Sequence, residues 1–440
     1  MAKLRPFRAV RYRLADLSAV VSQPYDRIGP DLQQRYYGLS PHNVVRIVQG
    51  QALTGDLPDR PDGPSVYTRA RATYDLWQAS GVLTRDPRPA LYVYHQIFSV
   101  DGTVHTRKAF VAALLLTPFE QGVVLPHERT LAAPKEDRLR LMRAMAVNPE
   151  LVFVLYPDPA NRVVSLLDSA IAGRAADATA TELLESDVRQ QLWAVTDRAV
   201  IRAVQEEMAP KVGLVIADGH HRYETALRYS CEMHATYPGA PADATFSYGM
   251  VSLVSMDDPG LVILPTHREV FDCPTAPAQV LAEVATDFQV TPTADLDACL
   301  AQMKAYEGRH AFGFYADHRF WVLALKHPDR VDSLIAIDRS PAWKSLDVTI
   351  LHEIVLQSIV GLSQQAQEAQ TNLRYHRDAA VAVAQVNSGQ GNYAFLLNPT
   401  RVTQVRACAE RGERMPQKST DFYPKMITGL TMLPMDLAPL

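Results

Sequence analysis

A chain of 440 residues, 47% hydrophobic and 21% charged, is long enough for two or three domains, since single cores stop growing near about 250–300 residues. Its net charge of −4, with acids and bases interspersed, excludes the concentrated basic surface of a protein that grips nucleic acid through its phosphates. No run approaches the roughly 18 apolar residues that span a bilayer, the basic start lacks a following apolar stretch, and Cys231, Cys273, Cys299 and Cys408 lack zinc or disulfide spacing.

In chain order, Gln23-Pro24-Tyr25-Asp26 reads as a turn and residues 43–48 as a short β-branched strand. Gly, Pro and Asp mark a surface loop over 51–66. Residues 67–80 are predicted as a helix, and 90–98 with Asp101-Gly102 as one arm and the turn of a hairpin. The loop 126–130 leads through Lys135 and Arg138 into a helix with Leu139, Met142, Met145 and Ala146 on one side. A strand over 151–156, a helix over 160–173, a strand ending near Trp193 and a helix from Thr196, its expected N-cap, to about Met208 then alternate as in an α/β layer. Residues 212–217 run as a buried strand into Asp218-Gly219, and a helical pattern holds from Tyr223 to His234. A hairpin is expected over 246–270, joined at Asp257-Asp258-Pro259-Gly260. Beyond the boundary at Pro274 come helices over 277–287 and 295–306, a hairpin across Ala316-Asp317-His318, a helix over 346–360, a strand over 393–397, a helix over 400–411, the loop 415–425 and a last strand.

The segment Ala217-Asp218-Gly219-His220-His221-Arg222 places several donors and one carboxylate where a strand meets a helix. A helix start has backbone N–H groups without intrahelical partners and partial positive charge, so it attracts anions when the preceding turn lets them approach. Gly219 permits that approach, and the Arg222 fork matches phosphate oxygens. Asp218 could carry a metal that rides on phosphates, or accept a proton from a hydroxyl. An Asp that only caps the helix, beside histidines decorating a surface turn, accounts equally well for the junction taken alone. Zinc fits less well, because adjacent helical residues point about 100° apart and no third ligand has diagnostic spacing.

His127, Glu128 and Thr130, followed by Lys135, Asp137 and Arg138, make either a substrate site or a salt-bridged surface. Lys418, Ser419, Thr420, Tyr423 and Lys425 form either a loop that closes over an anion or a surface loop pinned by Pro416 and Pro424. His267 and Arg268 could reach the same site or end a strand in solvent, whereas Tyr92, Tyr94 and Trp321 read as core.

In order along the chain, Pro24-Tyr25-Asp26, Asn43-x-x-Arg46, Pro126-His127-Glu128-x-Thr130, Lys135-x-Asp137-Arg138, residues 216–226, Pro416-Gln-Lys-Ser-Thr420 and Tyr423-Pro-Lys425 resemble domain-of-unknown-function family 1015 over essentially the full length. The Asp-Gly-His-His-Arg core is also similar to the nucleotide-binding box of the ParB/sulfiredoxin superfamily, in the form found in free L-serine kinases that use ADP or ATP. Sulfiredoxin's cysteine is absent from the box and no helix-turn-helix DNA module is evident. The resemblance implies nucleotide phosphates at Gly219, His220, His221, Arg222 and Thr225, with Asp218 and Glu128 as catalytic carboxylates. It implies phosphate or substrate contacts from His127, Lys135, Arg138 and Lys418, and ATP or ADP with a magnesium ion brought by the nucleotide, held at most by Asp218.

The resulting expectation is an α/β (α+β) protein with a ParB/sulfiredoxin-like nucleotide-binding region over 1–270 and an α+β region over 271–440. Its expected activity is nucleotide-dependent phosphorylation of a small hydroxyl metabolite, free L-serine being the first candidate. A nucleotide-gated regulatory module and a phosphohydrolase are the alternatives. Neither zinc, haem, nucleic acid nor membrane is expected as a partner, and the expected location is cytoplasmic.

Overall fold

The computed structural model describes residues 1–60, 63–128, 132–184, 186–438 and 440, with the backbone alone for 132–134. Thr130 of the 126–130 motif lies outside these residues. The chain divides into two compact units: Met1–Pro126, Thr130–Val262 and Pro424–Leu440 form the first, His127–Arg129 and Ile263–Tyr423 the second. Among the described residues no helix is long and apolar enough to cross a membrane.

The first unit is built on a nine-stranded sheet of Leu4–Arg5 (β1), Leu91–Val100 (β2), Thr103–Leu115 (β3), Val124–Pro126 (β4), Val152–Tyr156 (β5), Ala178–Thr181 (β6), Arg189–Val195 (β7), Leu214–Asp218 (β8) and Tyr248–Ser255 (β9). The order is β4-β8-β5-β9-β3-β2-β7-β6, with β1 beside β3. The β4–β8 and β5–β9 pairs are parallel and the other neighbours antiparallel. β5 is buried along its whole length, as its unbroken apolar run requires of a strand covered on both faces. Asp101 and Gly102, both at positive φ, make the tight turn between β2 and β3.

Helices Val66–Ala79 (α1), Ala132–Met145 (α2), Arg162–Ile171 (α3), Arg198–Met208 (α4) and His220–Thr236 (α5) belong to this unit. Val163, Leu167 and Ile171 on α3, and Ile201, Val204 and Met208 on α4, recur every three or four residues and face the core. Tyr223, Ala226 and Tyr229 of α5 enter the same cluster with Ile216 of β8 and Val154 of β5. That burial fixes α5 on the sheet and so fixes its N-terminus at the end of β8. Residues after 423 return to this unit: Thr428 exchanges backbone hydrogen bonds with Ser22, and Leu433–Pro434 pairs with Val147–Asn148.

The second unit carries a six-stranded antiparallel sheet of His267–Val270 (β10), Phe288–Thr293 (β11), Ala311–Ala316 (β12), Arg319–Leu325 (β13), Leu373–His376 (β14) and Tyr393–Leu396 (β15), ordered β11-β13-β12-β15-β10-β14. Cys299 and Met303 of the helix Leu296–Ala305 pack on Ala311, Val322 and Leu396. The mixed α/β class expected from the sequence is thus observed, with parallel strand pairs in the nine-stranded sheet and, among the described residues, none in the six-stranded one.

Four local expectations are corrected. Residues 43–48 hold a helical turn, Val45–Val48, rather than a strand. Asn43 Oδ1 accepts the Val45 N–H at 3.0 Å and Asn43 Nδ2 donates to Ala19 O and Val21 O, so tertiary burial of Val45, Ile47 and Val48 overrides their β propensity. The N-cap of α4 is Asp197, whose side chain accepts from Ala199 N and Val200 N, rather than Thr196. No hairpin spans 246–270: β9 is flanked by β3 and β5 on its two edges, leaving none for the following strand, and β10 belongs to the second unit's sheet. The helix expected over 346–360 begins as Asp347–Ile350 and continues in the wider π form as Leu351–Ile359.

Candidate functional site

The pairing of β8 with β5 shifts register between Ile216 and Asp218, so that Asp218 lies opposite Phe153. Such a bulge re-aims the residue that follows it. Gly219 comes next at φ 90 and ψ 30 and occupies the N-cap of the 17-residue α5, with no side-chain cap. This left-handed geometry strains any residue bearing a Cβ. A Cβ here would also lie 3.0 Å from Cζ and Nε of Arg222. Glycine is therefore needed for two reasons, its backbone angles and the guanidinium folded back against it.

Arg222, one helical turn on, is buried and donates to Asp218 Oδ2 at 2.8 Å and to Leu151 O. Its fork is turned inward and braces the start of α5. On the other side, Lys425 Nζ stands 3.6 Å from Asp218 Oδ1. Burial alone would push the Asp218 carboxyl up, but Lys425, Arg222 and His220 together hold it well below the usual carboxylate range. Arg222 is pulled down by burial yet ends above its ordinary value, because Asp218, Asp26 and Glu150 surround it. Burial and the nearby Lys135 lower the proton affinity of His221, which leaves that ring mainly neutral near pH 7.

The entrance of α2 supplies the next residues. Lys135 Nζ pairs with Glu224 Oε2 at 2.8 Å, and Thr225 Oγ1 donates to Lys135 O at 3.4 Å. Arg138 is buried, stacks over the Tyr25 ring at 4.1 Å, and meets Asp137, Val48 O and Glu150. Burial raises the Glu150 carboxyl against the opposing charge of Arg138. Behind Arg138, Glu150, Arg222 and Thr225 lies a cavity of about 20 Å³, room for a single water. Arg138 and Arg222 thus face an interior too small for a nucleotide, whereas Lys135, His220, His221 and Lys425 keep partial exposure.

Of the residues singled out in the sequence, Asp218, Gly219, His220, His221, Arg222, Thr225, Lys135 and Arg138 lie in the first unit. His127, Glu128 and Lys418 lie in the second, the first two joined through Thr420 and the third bonded to Arg268 through its carbonyl. His127 Nε2 meets Thr420 Oγ1 at 2.8 Å, and the same hydroxyl donates to Glu128 Oε1 at 3.2 Å. Arg268 donates to Lys418 O at 3.0 Å, and burial lowers its own pKa to about 10 despite Tyr375 and Glu128 nearby. Sequence reasoning overlooked Glu150 and Arg107, two buried charges without a motif. It left open whether residues 415–425 join the site; Lys425, which belongs to the first unit, stands beside Asp218.

A family model described as "Protein of unknown function (DUF1015)" matches residues 4–349. No curated protein matches the sequence. Among solved structures, a conserved hypothetical protein from Pyrococcus furiosus is 14% identical, with a TM-score of 0.33, over 72% of this chain and 92% of its own. A free serine kinase in complex with AMP is 12% identical with a TM-score of 0.34, over 72% and 89%. SbnI with C-terminal truncation from Staphylococcus aureus is 10% identical with a TM-score of 0.34, over 74% and 87%. At such scores the likenesses carry no weight for function, which rests on the residues themselves.

Proposed function

The chain belongs to the DUF1015 family, and from that premise we propose that the Asp218 turn handles the phosphates of a nucleotide and that the protein transfers a phosphoryl group to a small hydroxyl compound. The observation that carries this reading is a 17-residue helix whose N-cap is a glycine, with His220, His221, Lys135 and Lys425 partly exposed around its start. Phosphoryl transfer depends on positioning and charge neutralisation more than on covalent chemistry. A helix start with two lysines and two imidazoles supplies both. The ParB/sulfiredoxin-like core implied by the Asp-Gly-His-His-Arg motif is part of the same proposal, as is serine as the first acceptor to try.

Within it, the residues divide by geometry. Arg222 braces the turn through Asp218 and Leu151, leaving phosphate contact to backbone amides of the first turn, the histidines and the lysines. Asp218, held strongly ionised, is a poor proton acceptor near neutral pH and a suitable oxygen ligand for magnesium. Among the described residues no three His, Cys, Asp or Glu side chains gather as a metal cage, so the ion would arrive on the phosphates, with Asp218 or the exposed Asp26 as its protein contact. Magnesium there would neutralise phosphate charge. Glu128, which accepts from Thr420, is the carboxylate assigned to general-base duty.

The test is incubation with ATP or ADP, magnesium and a panel of hydroxyl amino acids, read by phosphorus NMR and mass spectrometry. A phosphorylated acceptor supports the kinase, and phosphate released without an acceptor shifts the reading to a phosphohydrolase. Tight nucleotide binding with neither product favours a nucleotide-gated binding module, the reading to which the weak basicity of Asp218 lends support. Unchanged turnover in Glu128→Gln removes Glu128 from the chemistry.

A further inference from the structure

Arg107 has no solvent exposure, although it lies on a sheet strand among apolar neighbours. A charge in that position costs stability unless it is fully hydrogen-bonded, and burial lowers the Arg107 pKa to about 10. Its partners show what holds it. Directly opposite on β2 is Gln96, whose Oε1 accepts from Arg107 Nε at 3.0 Å and again from Nη2. Arg107 Nη2 also donates to Pro424 O and lies 3.8 Å from Met426 Sδ, and its guanidinium covers the Phe153 ring at 4.7 Å. Gln96 Nε2 donates to Lys425 O at 3.0 Å. The pair thus binds the backbone on both sides of the residue whose ammonium stands beside Asp218. Phe153 itself sits opposite Asp218 in the register of β5 and β8.

The ordering continues along the same segment through the Ser22–Thr428 hydrogen bonds and the Val10–Met432 bridge. Lys425 therefore occupies a defined position, and an apolar pair in place of Arg107 and Gln96 would bury the strands equally well without fixing it. A lysine ammonium has three donors. That of Lys425 stands 3.6 Å from Asp218 Oδ1 and is partly exposed at the turn.

We propose that Lys425 contacts the phosphate bound at the Asp218 turn, and that Arg107 and Gln96 are positioning residues that hold it there. This rests on the phosphate reading of the turn, but its positioning half can be measured with no ligand present. The experiment uses the full chain, with inorganic pyrophosphate and ADP as probes in titration calorimetry, and carbon-13 NMR of the Asp218 carboxyl as the ligand-free readout. Lys425→Met is expected to weaken binding by about tenfold or more, the worth of one charged hydrogen bond, to keep the fold with a melting midpoint lowered at neutral pH as the Asp218 pKa rises, and Lys425→Arg to restore much of both. Gln96→Leu removes one tether and also the acceptor of Arg107 Nε, so it is expected to lower the melting midpoint, to weaken binding and to raise the Asp218 titration as Lys425→Met does. Arg107→Lys, the conservative change, is expected to keep the fold but not the tether. Pyrophosphate affinity within about twofold of the parent in Lys425→Met overturns the contact. An unmoved Asp218 titration in Gln96→Leu and Arg107→Lys overturns the positioning. If the parent takes up neither probe, the phosphate reading falls and the Lys425 contact with it, while the titration still decides whether the two tethers place the lysine.

Discussion

Alanine in place of Gly219 imposes two separable penalties. The residue sits at φ 90 and ψ 30, and left-handed backbone costs a residue with a Cβ about 1–2 kcal/mol. The new Cβ would also lie 3.0 Å from Cζ and Nε of Arg222, a guanidinium already held by Asp218 at 2.8 Å and by Leu151 O. Displacing it loosens a charged hydrogen bond worth about 1.5–3 kcal/mol. Together the first unit should lose about 2.5–5 kcal/mol, read as faster hydrogen exchange in peptides covering β8 and the first turns of α5 and as a lower denaturation midpoint. In an Arg222→Ala background the collision is gone and only the backbone penalty of about 1–2 kcal/mol should remain. Equal costs in the two backgrounds would refute the claim that this glycine makes room for Arg222. A cost below about 0.5 kcal/mol in both would refute the backbone argument as well.

Acid stability should depend on Asp218. Its folded-state pKa is depressed, so its contribution is complete above the ordinary carboxylate value near 4 and is lost as pH falls toward the folded value. Asp218→Asn should flatten that part of a plot of urea midpoint against pH. Arg138→Met leaves the buried Glu150 carboxylate without its cation and should cost about 3–5 kcal/mol, most of it recovered in the Arg138→Met, Glu150→Leu double variant when both are melted in denaturant. Lys135→Met removes a partly exposed pair with Glu224 and should change stability by less than about 1 kcal/mol. Calorimetry on the same variant should show weaker pyrophosphate binding, and unchanged affinity would take Lys135 out of the phosphate site.

Legibility followed the range of the interactions. The junction of β8 with α5 could be read locally, because an apolar strand, an Asp-Gly pair and a helical pattern are contiguous in sequence. The turns at Asp101-Gly102 and Asp317-His318 were legible for the same reason, each requiring two residues at positive φ. Residues 43–48 were misread because β-branched composition reports a preference, while the Asn43 side chain bonded to Val45 N and burial decided the outcome. The 246–270 hairpin failed because alternation reveals a strand but not its partners. At the site, the i,i+4 spacing of Asp218 and Arg222 was visible in the sequence. The inward turn of the guanidinium was not, since it depends on the β8 bulge and on Leu151. Lys425 meets Asp218 only through the return of a distant segment, and His127 and Glu128 meet Thr420 in the second unit from motifs at opposite ends of the chain.

The return of residues 424–440 to the first unit also sets an order of events during synthesis. When residue 262 has been made, Ser22, Val10 and Val147–Asn148 still lack the strand partners that Thr428, Met432 and Leu433–Pro434 will bring, and Asp218 lacks Lys425. Residues 263–423 must be translated first, which at about 5–20 residues per second takes roughly 8–30 s. For that interval the nascent first unit lacks the pairings that flank its nine-stranded sheet, its acidic turn has Arg222 and His220 but not Lys425, and the pace of the ribosome determines when the site is completed.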